Sequence, residues 1–217
     1  MTTMRSHYSK VNMPVFQSMG NHDYTFFRGS DNPLAADATS STAQLKAQRK
    51  FEDTFGPVNY SFNRGSVHIV CMRNIIYDSA TDNLDYHGGF TDEQYEWLLE
   101  DLAEVGKDKM VILCVHIPFC YSQDESMREV LVMLGRYRNA TIFSGHTHFY
   151  RGVELKDYGI FEHVHSAVCG QWWWTNVEND GVPNGYNVYR IDGSGIKDAY
   201  FVGTNDAFSD RNCQMRI

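Results

Sequence analysis

Basic residues are scarce in this chain. Nineteen lysines and arginines face twenty-seven aspartates and glutamates across 217 residues, for a formal net charge of −8. That balance excludes the basic footprint a nucleic-acid binder needs. An anionic substrate would have to be attracted locally, and bound cations are the obvious source of such a field. The five cysteines (Cys71, Cys114, Cys120, Cys169, Cys213) are odd in number. They follow no CxxC or zinc-ribbon spacing and read as buried or incidental thiols rather than a disulfide framework. No run is long and apolar enough to span a membrane, and the polar stretch Met1–Lys10 lacks the apolar centre of a signal peptide. HExxH and HxHxDH are absent. So is any aspartate among the nineteen residues ahead of Gly20.

What is present suits a globular enzyme. Apolar residues make up 42% and aromatics 14%, enough for one domain with a full core. Pro14–Met19 reads as a short strand ending at Gly20, and residues 28–45 as a surface loop. A helix is expected from about Ala43 to Phe55, closed by Gly56-Pro57. Tyr60–Phe62 and Val67–Met72, separated by Asn63-Arg64-Gly65-Ser66, read as a hairpin. The clearest helix covers 92–105. Thr91 is its N-cap, Gln94 completes a capping box, Leu98, Leu102 and Val105 share a face, and Gly106 stops it. Lys109–Val115 is a continuous apolar run, the pattern of a strand buried on both faces. A helix near 124–135, a strand at 140–144 and strands near 150–155, 160–168, 186–191 and 197–202 complete the order. Mixed helices and strands with polar motifs after strands describe an α/β sandwich.

Three segments carry the chemistry. Gly20-Asn21-His22-Asp23 presents an amide, an imidazole and a carboxylate at a turn. His116 closes the apolar run at its C-terminal edge, where α/β sheets place ligand crevices. Gly145-His146-Thr147-His148 follows a strand and turns two imidazoles outward. One amide and several imidazoles form a ligand set for divalent cations, and a His–Asp pair suits proton transfer. The other histidines carry less. Asp85-Tyr86-His87 reads as a loop ahead of the Thr91-capped helix, away from the site. His163 and His165 read as a strand-face pair, and His7 and His68 carry no functional case. Trp172-Trp173-Trp174 reads either as a core cap or as an aromatic wall beside the metals.

In this order the three segments resemble the last three motifs of the calcineurin-like metallophosphoesterases. The resemblance covers roughly residues 14–191, and Cys169–Tyr186 is similar to bacterial members with additional small β domains. It implies a two-sheet α/β/β/α sandwich. Two divalent ions (Mn, Zn or Fe) would activate water and polarise a phosphate ester. By the same resemblance Asn21, His116 and His146 hold one metal and His148 the other. His22 steadies the phosphoryl group and assists the leaving group, oriented by Asp23. The substrate would be a small phosphate ester or a phosphoprotein, with no nucleic-acid partner and no membrane span.

The family's first two motifs, D-x-H and G-D-x-x-D/N, should precede Gly20 and are not there. The expectation is therefore an N-terminally truncated domain over 1–203, with a linker or further domain starting in 204–217. Such a chain would hold one metal at most and have doubtful activity alone. The alternative is a non-catalytic metal-binding or interaction module on the same fold.

Overall fold

A computed structural model describes residues 2–24, 41–77, 86–168, 178 and 180–204. The expected Trp172–Trp174 wall, Asp85, Cys169 and Cys213 lie outside the described residues.

The centre is a six-stranded sheet. In chain order its strands are β1 (Tyr60–Arg64), β2 (Val67–Cys71), β5 (Met110–Cys114), β6 (Asn139–Ser144), β7 (Arg151–Leu155) and β8 (Ile160–Val164), arranged β1-β2-β5-β6-β8-β7. The four inner strands run parallel, while β1 and β7 close the edges antiparallel. Two small antiparallel hairpins stand apart from the main sheet: β3 (Ile75–Tyr77) with β4 (Tyr86–Gly88), and β9 (Gly185–Asp192) with β10 (Gly195–Gly203).

Alternation along the strands builds two cores. Val70, Val111, Leu113, Ile142 and Ile160 point to one face. There they meet the helices α3 (Asp92–Ala103) and α4 (Glu125–Leu134) through Leu98, Leu102, Val130 and Leu134. Val67, Ile69, Met110, Ile112 and Phe143 point to the other, against Ile191 and Ile196 of β9–β10. Both faces of β5 are thus covered, which explains its unbroken apolar spelling. Helices, sheet and second β layer make the expected mixed α/β sandwich. The capping box is present: Thr91 Oγ1 accepts the Gln94 amide at 3.3 Å, and Gln94 Oε1 accepts that of Thr91 at 3.1 Å. The remaining helices are α1 (Thr2–Tyr8) and α2 (Ser41–Phe55). The latter buries Ala47 and Phe51 in a third cluster with Met19, Tyr24, Ile75, Tyr77 and Ile117.

Two expectations change. Pro14–Met19 forms no ladder. The segment lies over the side chains of β1, with Phe16 stacked on Phe62 at 4.2 Å and the Gln17 carbonyl accepting the Tyr60 hydroxyl at 3.0 Å. A backbone laid across a strand's side chains cannot pair with its edge. Tyr86–Gly88, expected as loop, is β4. Three-residue strands lie below the length at which alternation is legible.

Candidate metal centre

The parallel strands β5 and β6 end side by side, and the loops leaving them are tied together. Gly145 donates its N–H to the His116 carbonyl at 3.0 Å. Asn74, fully buried, accepts the N–H groups of His116 and Ile117 at 3.0 and 2.9 Å and donates to the Ile117 carbonyl at 2.7 Å. Glu162, also fully buried, receives the N–H groups of Phe119 and Cys120 at 2.8 and 2.9 Å and the Ser144 hydroxyl at 2.8 Å. Its carboxylate therefore joins the chain just after His116 to the chain just before His146.

Asn21 comes from the opposite side, on a short 3-10 turn over Asn21–Asp23. Asp23 closes that turn by accepting the Gly20 N–H at 2.8 Å. Burial pushes its carboxyl above the ordinary range, opposed by the Gly20 N–H bond and more weakly by His22. Glycine at position 20 lets the turn pass close to His116, since a Cβ there would stand 3.0 Å from its Cε1. His22 is exposed at the mouth of the site.

The three side chains expected to share one metal, Asn21, His116 and His146, converge. Asn21 Oδ1 lies 2.8 Å from His116 Nε2, which lies 3.1 Å from His146 Nδ1. Donors bound at ~2.1 Å and set at right angles stand ~3 Å apart, so these separations suit one coordination sphere. The chemistry agrees. An amide oxygen and two imidazole nitrogens, whose proton positions depend on tautomer, are donor atoms that one divalent cation can share. Burial, aided by the charges of His146, His22 and His148, pushes His116 down to about 3, and His146 is also lowered, first by burial and then by His148 and His22. Both imidazoles are therefore neutral near pH 7, the form that ligates metal. Among the described residues no group of three or more His, Cys, Asp or Glu side chains is arranged as a metal cage. The trio reaches three donors only through the amide.

The backbone marks the same place. His146 and His148 have φ values of 67° and 59°, and they are the non-glycine residues with positive φ among those described. The left-handed region costs a side-chain-bearing residue about 1–3 kcal/mol, and such strain gathers at functional sites. In an extended strand residues 146 and 148 would share a side and their neighbours the other, whereas this turned backbone frees the two rings from that regular alternation.

Beside the centre lies a groove of about 640 Å³ lined by Tyr86, His87, Ile117, Tyr121, Asp124 and His146, among others. His87 faces Asp124 at 3.4 Å on its wall and is half-exposed. Between the discounted Asp85 and His87 sits the residue that sequence reasoning missed. Tyr86 accepts the Asn21 side-chain amide at 2.8 Å, and its ring meets that of His146 edge-on at 5.7 Å. Nothing in local periodicity marks it. Asn74 and Glu162 were missed too, although a glutamate within a strand otherwise bound for the core was a usable signal.

Two further histidines have structural partners. His68 binds Asp101 at 2.8 Å and Asn63 at 3.2 Å, joining β2 to α3. His165 meets the Ser144 carbonyl at 3.0 Å and the Tyr189 hydroxyl at 2.8 Å. The described thiols, Cys71, Cys114 and Cys120, are free.

Residues 2–150 match the calcineurin-like phosphoesterase family, and residues 162–217 match the C-terminal region of calcineurin-like phosphoesterases. The chain belongs to the calcineurin-like phosphoesterase family. Its relatives include purple acid phosphatases of Arabidopsis thaliana. Purple acid phosphatase 22 is 28% identical over 153 residues, covering 63% of this chain and 31% of that protein. Purple acid phosphatase 15 is 33% identical over 101 residues, covering 42% and 17% respectively. The chain thus spans about a third or less of the length of these relatives. Metal-dependent hydrolysis of phosphate esters, generally at a dinuclear centre, is the chemistry of the family.

Proposed function

We propose that this chain supplies one half of a metal-dependent phosphoesterase centre, with Asn21, His116 and His146 holding one divalent ion and His148 belonging to the second. The observation that carries this reading is the convergence of Asn21 Oδ1, His116 Nε2 and His146 Nδ1 within 2.8 and 3.1 Å steps. A bound divalent ion would supply Lewis-acid polarisation of a phosphoryl oxygen.

The chain's own side chains do the rest. Exposed at the mouth, His22 donates a hydrogen bond to the phosphoryl group and assists departure of the leaving oxygen. Asp23 holds the turn that presents it, through the Gly20 N–H. The groove beside His146 receives the alcohol side of the ester. The substrate is a small phosphate ester or a phosphoprotein.

The first-metal carboxylates that the family resemblance places ahead of Gly-Asn-His-Asp are not among residues 1–19, which hold no aspartate. The trio Asn21, His116 and His146 is a site for one divalent ion, so the expectation for these 217 residues is one bound ion and weak turnover. The second reading is a non-catalytic metal-binding module on the same fold. Calorimetric titration with Mn²⁺ or Zn²⁺, alongside hydrolysis of a generic aryl phosphate, separates the two. One bound ion is expected of both. Metal-dependent turnover that His22→Ala lowers by roughly 10²–10⁴-fold supports the phosphoesterase reading. Binding with no turnover, even in a version extended upstream to include the two missing motifs, supports the module. No binding by the wild-type chain overturns the ligand assignment.

A further inference from the structure

The hairpin β3–β4 gives Ile75 and Tyr77 to the third core cluster, but that burial does not account for its polar contacts. It has three residues per strand, stands outside the six-stranded sheet, and isolated hairpins are marginal in water. Yet it touches the supports of all three converging donors. Tyr77 and Tyr86 are cross-strand partners with ring centroids 5.4 Å apart. The Tyr77 hydroxyl donates to the Asn21 main-chain carbonyl at 3.0 Å, and the Tyr86 hydroxyl accepts from Asn21 Nδ2 at 2.8 Å. At the far end of β4, Gly88 lies so close to the chain after His116 that a Cβ would stand 2.8 Å from Cγ2 of Ile117. Ser122 donates to the Gly88 carbonyl at 3.1 Å.

An amide ligand poses a problem that imidazoles and carboxylates do not. Its two ends are nearly equal in size, and only the oxygen end attracts a cation. A rotation of 180° about the terminal torsion would turn two N–H dipoles toward the metal. We propose that the β3–β4 hairpin is the positioning element of the Asn21 ligand: Tyr77 fixes its main chain, and Tyr86 holds the Nδ2 end so that Oδ1 faces His116 and His146. Tyr86 is thus a positioning residue that acts through Asn21. The inference rests on the metal-centre reading given above, and it extends that reading to residues outside the ligand set.

Tyr86→Phe in the 217-residue chain tests it, because the ring and its packing on Tyr77 and His146 are retained while the hydroxyl is lost. The first readout needs no metal. In ¹⁵N spectra of the metal-free protein, the side-chain amide pair of Asn21, assigned by its disappearance in Asn21→Asp, is expected to show slowed hydrogen exchange. Tyr86→Phe is expected to shift this pair and speed its exchange, and Tyr200→Phe, at an exposed hairpin position, is expected to leave it alone. The second readout is Mn²⁺ or Zn²⁺ affinity, expected to fall roughly 10–100-fold, as when an outer-shell partner is lost, with Tm nearly unchanged.

An unmoved amide pair overturns the proposal. So does a loss of affinity that only tracks a fall in Tm. If the wild-type chain takes up no metal, the metal-centre reading fails, while the amide pair still decides whether Tyr86 holds Asn21.

Discussion

Two His-x-His spellings lie one strand apart in the same sheet, and they have opposite fates. His146 and His148 follow β6, and both sit in the left-handed region. His146 meets His116, with His148 near enough for its charge to weigh on both. His163 lies on β8 and His165 just beyond it, with ordinary backbone and rings on one side among Phe143 and Tyr189. Regular alternation gives the second pair a shared face and ordinary partners. A strained turn gives the first pair convergence. Conformation, rather than spelling, separates the proposed ligand histidines from the packing histidines here.

The residue between these pairs is the first place to break the contrast. Glu162 precedes His163 but points to the other face, where it accepts two N–H groups and the Ser144 hydroxyl. Glu162→Ala would leave buried donors without an acceptor, at about 1–3 kcal/mol each. A loss of at least ~3 kcal/mol is expected, lowering Tm by roughly 6–12 °C for a chain of this size. Differential scanning calorimetry reads it. An unchanged Tm would show that the two ligand loops are held by the sheet alone.

The contrast itself is tested by removing one ring from each pair. His146→Ala should weaken Zn²⁺ binding by more than the roughly 10–100-fold expected for loss of an outer-shell partner, because a direct ligand is removed. His165→Ala should leave the affinity unchanged while costing some stability through the Ser144 and Tyr189 bonds. Calorimetric titration of both variants decides. Equal losses would mean that the β8 pair belongs to the centre and that the strand-face assignment is wrong.

Much of this was legible in the sequence, for identifiable reasons. The Thr91–Gln94 capping box and the apolar run of β5 are local signals, and both stand in the structure. Asn21, His116 and His146 could be singled out because short motifs, two of them after strands, concentrate unusual donors. Their supports were not. Tyr86 reaches Asn21 across 65 positions, and Asn74 reaches Ile117 across 43. Such contacts exist only after folding, and a tyrosine or asparagine in a short polar stretch carries no period that announces them. Pro14–Met19 failed in the opposite sense. Its apolar spelling is real, but it serves contact with β1 side chains such as Phe62 rather than a ladder.

The smallest expected effect concerns pH, and it separates the pairs without metal. Burial, aided by His165, pushes His163 down to about 4 from an ordinary value near 6.5. Between those two values the unfolded chain binds a proton that the folded protein does not. Stability should therefore rise with pH across that window and fall on acidification from about 6.5 toward 4. Below 4 both states are protonated at this site, and it contributes no further loss. His163→Phe keeps a ring among Phe143, Phe161 and Tyr189 and removes the proton site, so part of the acid slope should vanish. Urea midpoints at pH 7, 5.5 and 4.5 in wild type and variant measure the difference. The change will be partial, because partial solvent access weakens the shift at His163 and because His116, His146 and His165 are lowered as well. An identical slope in the variant would show that His163 is not held neutral by its packing, and that the two pairs differ less in environment than in backbone.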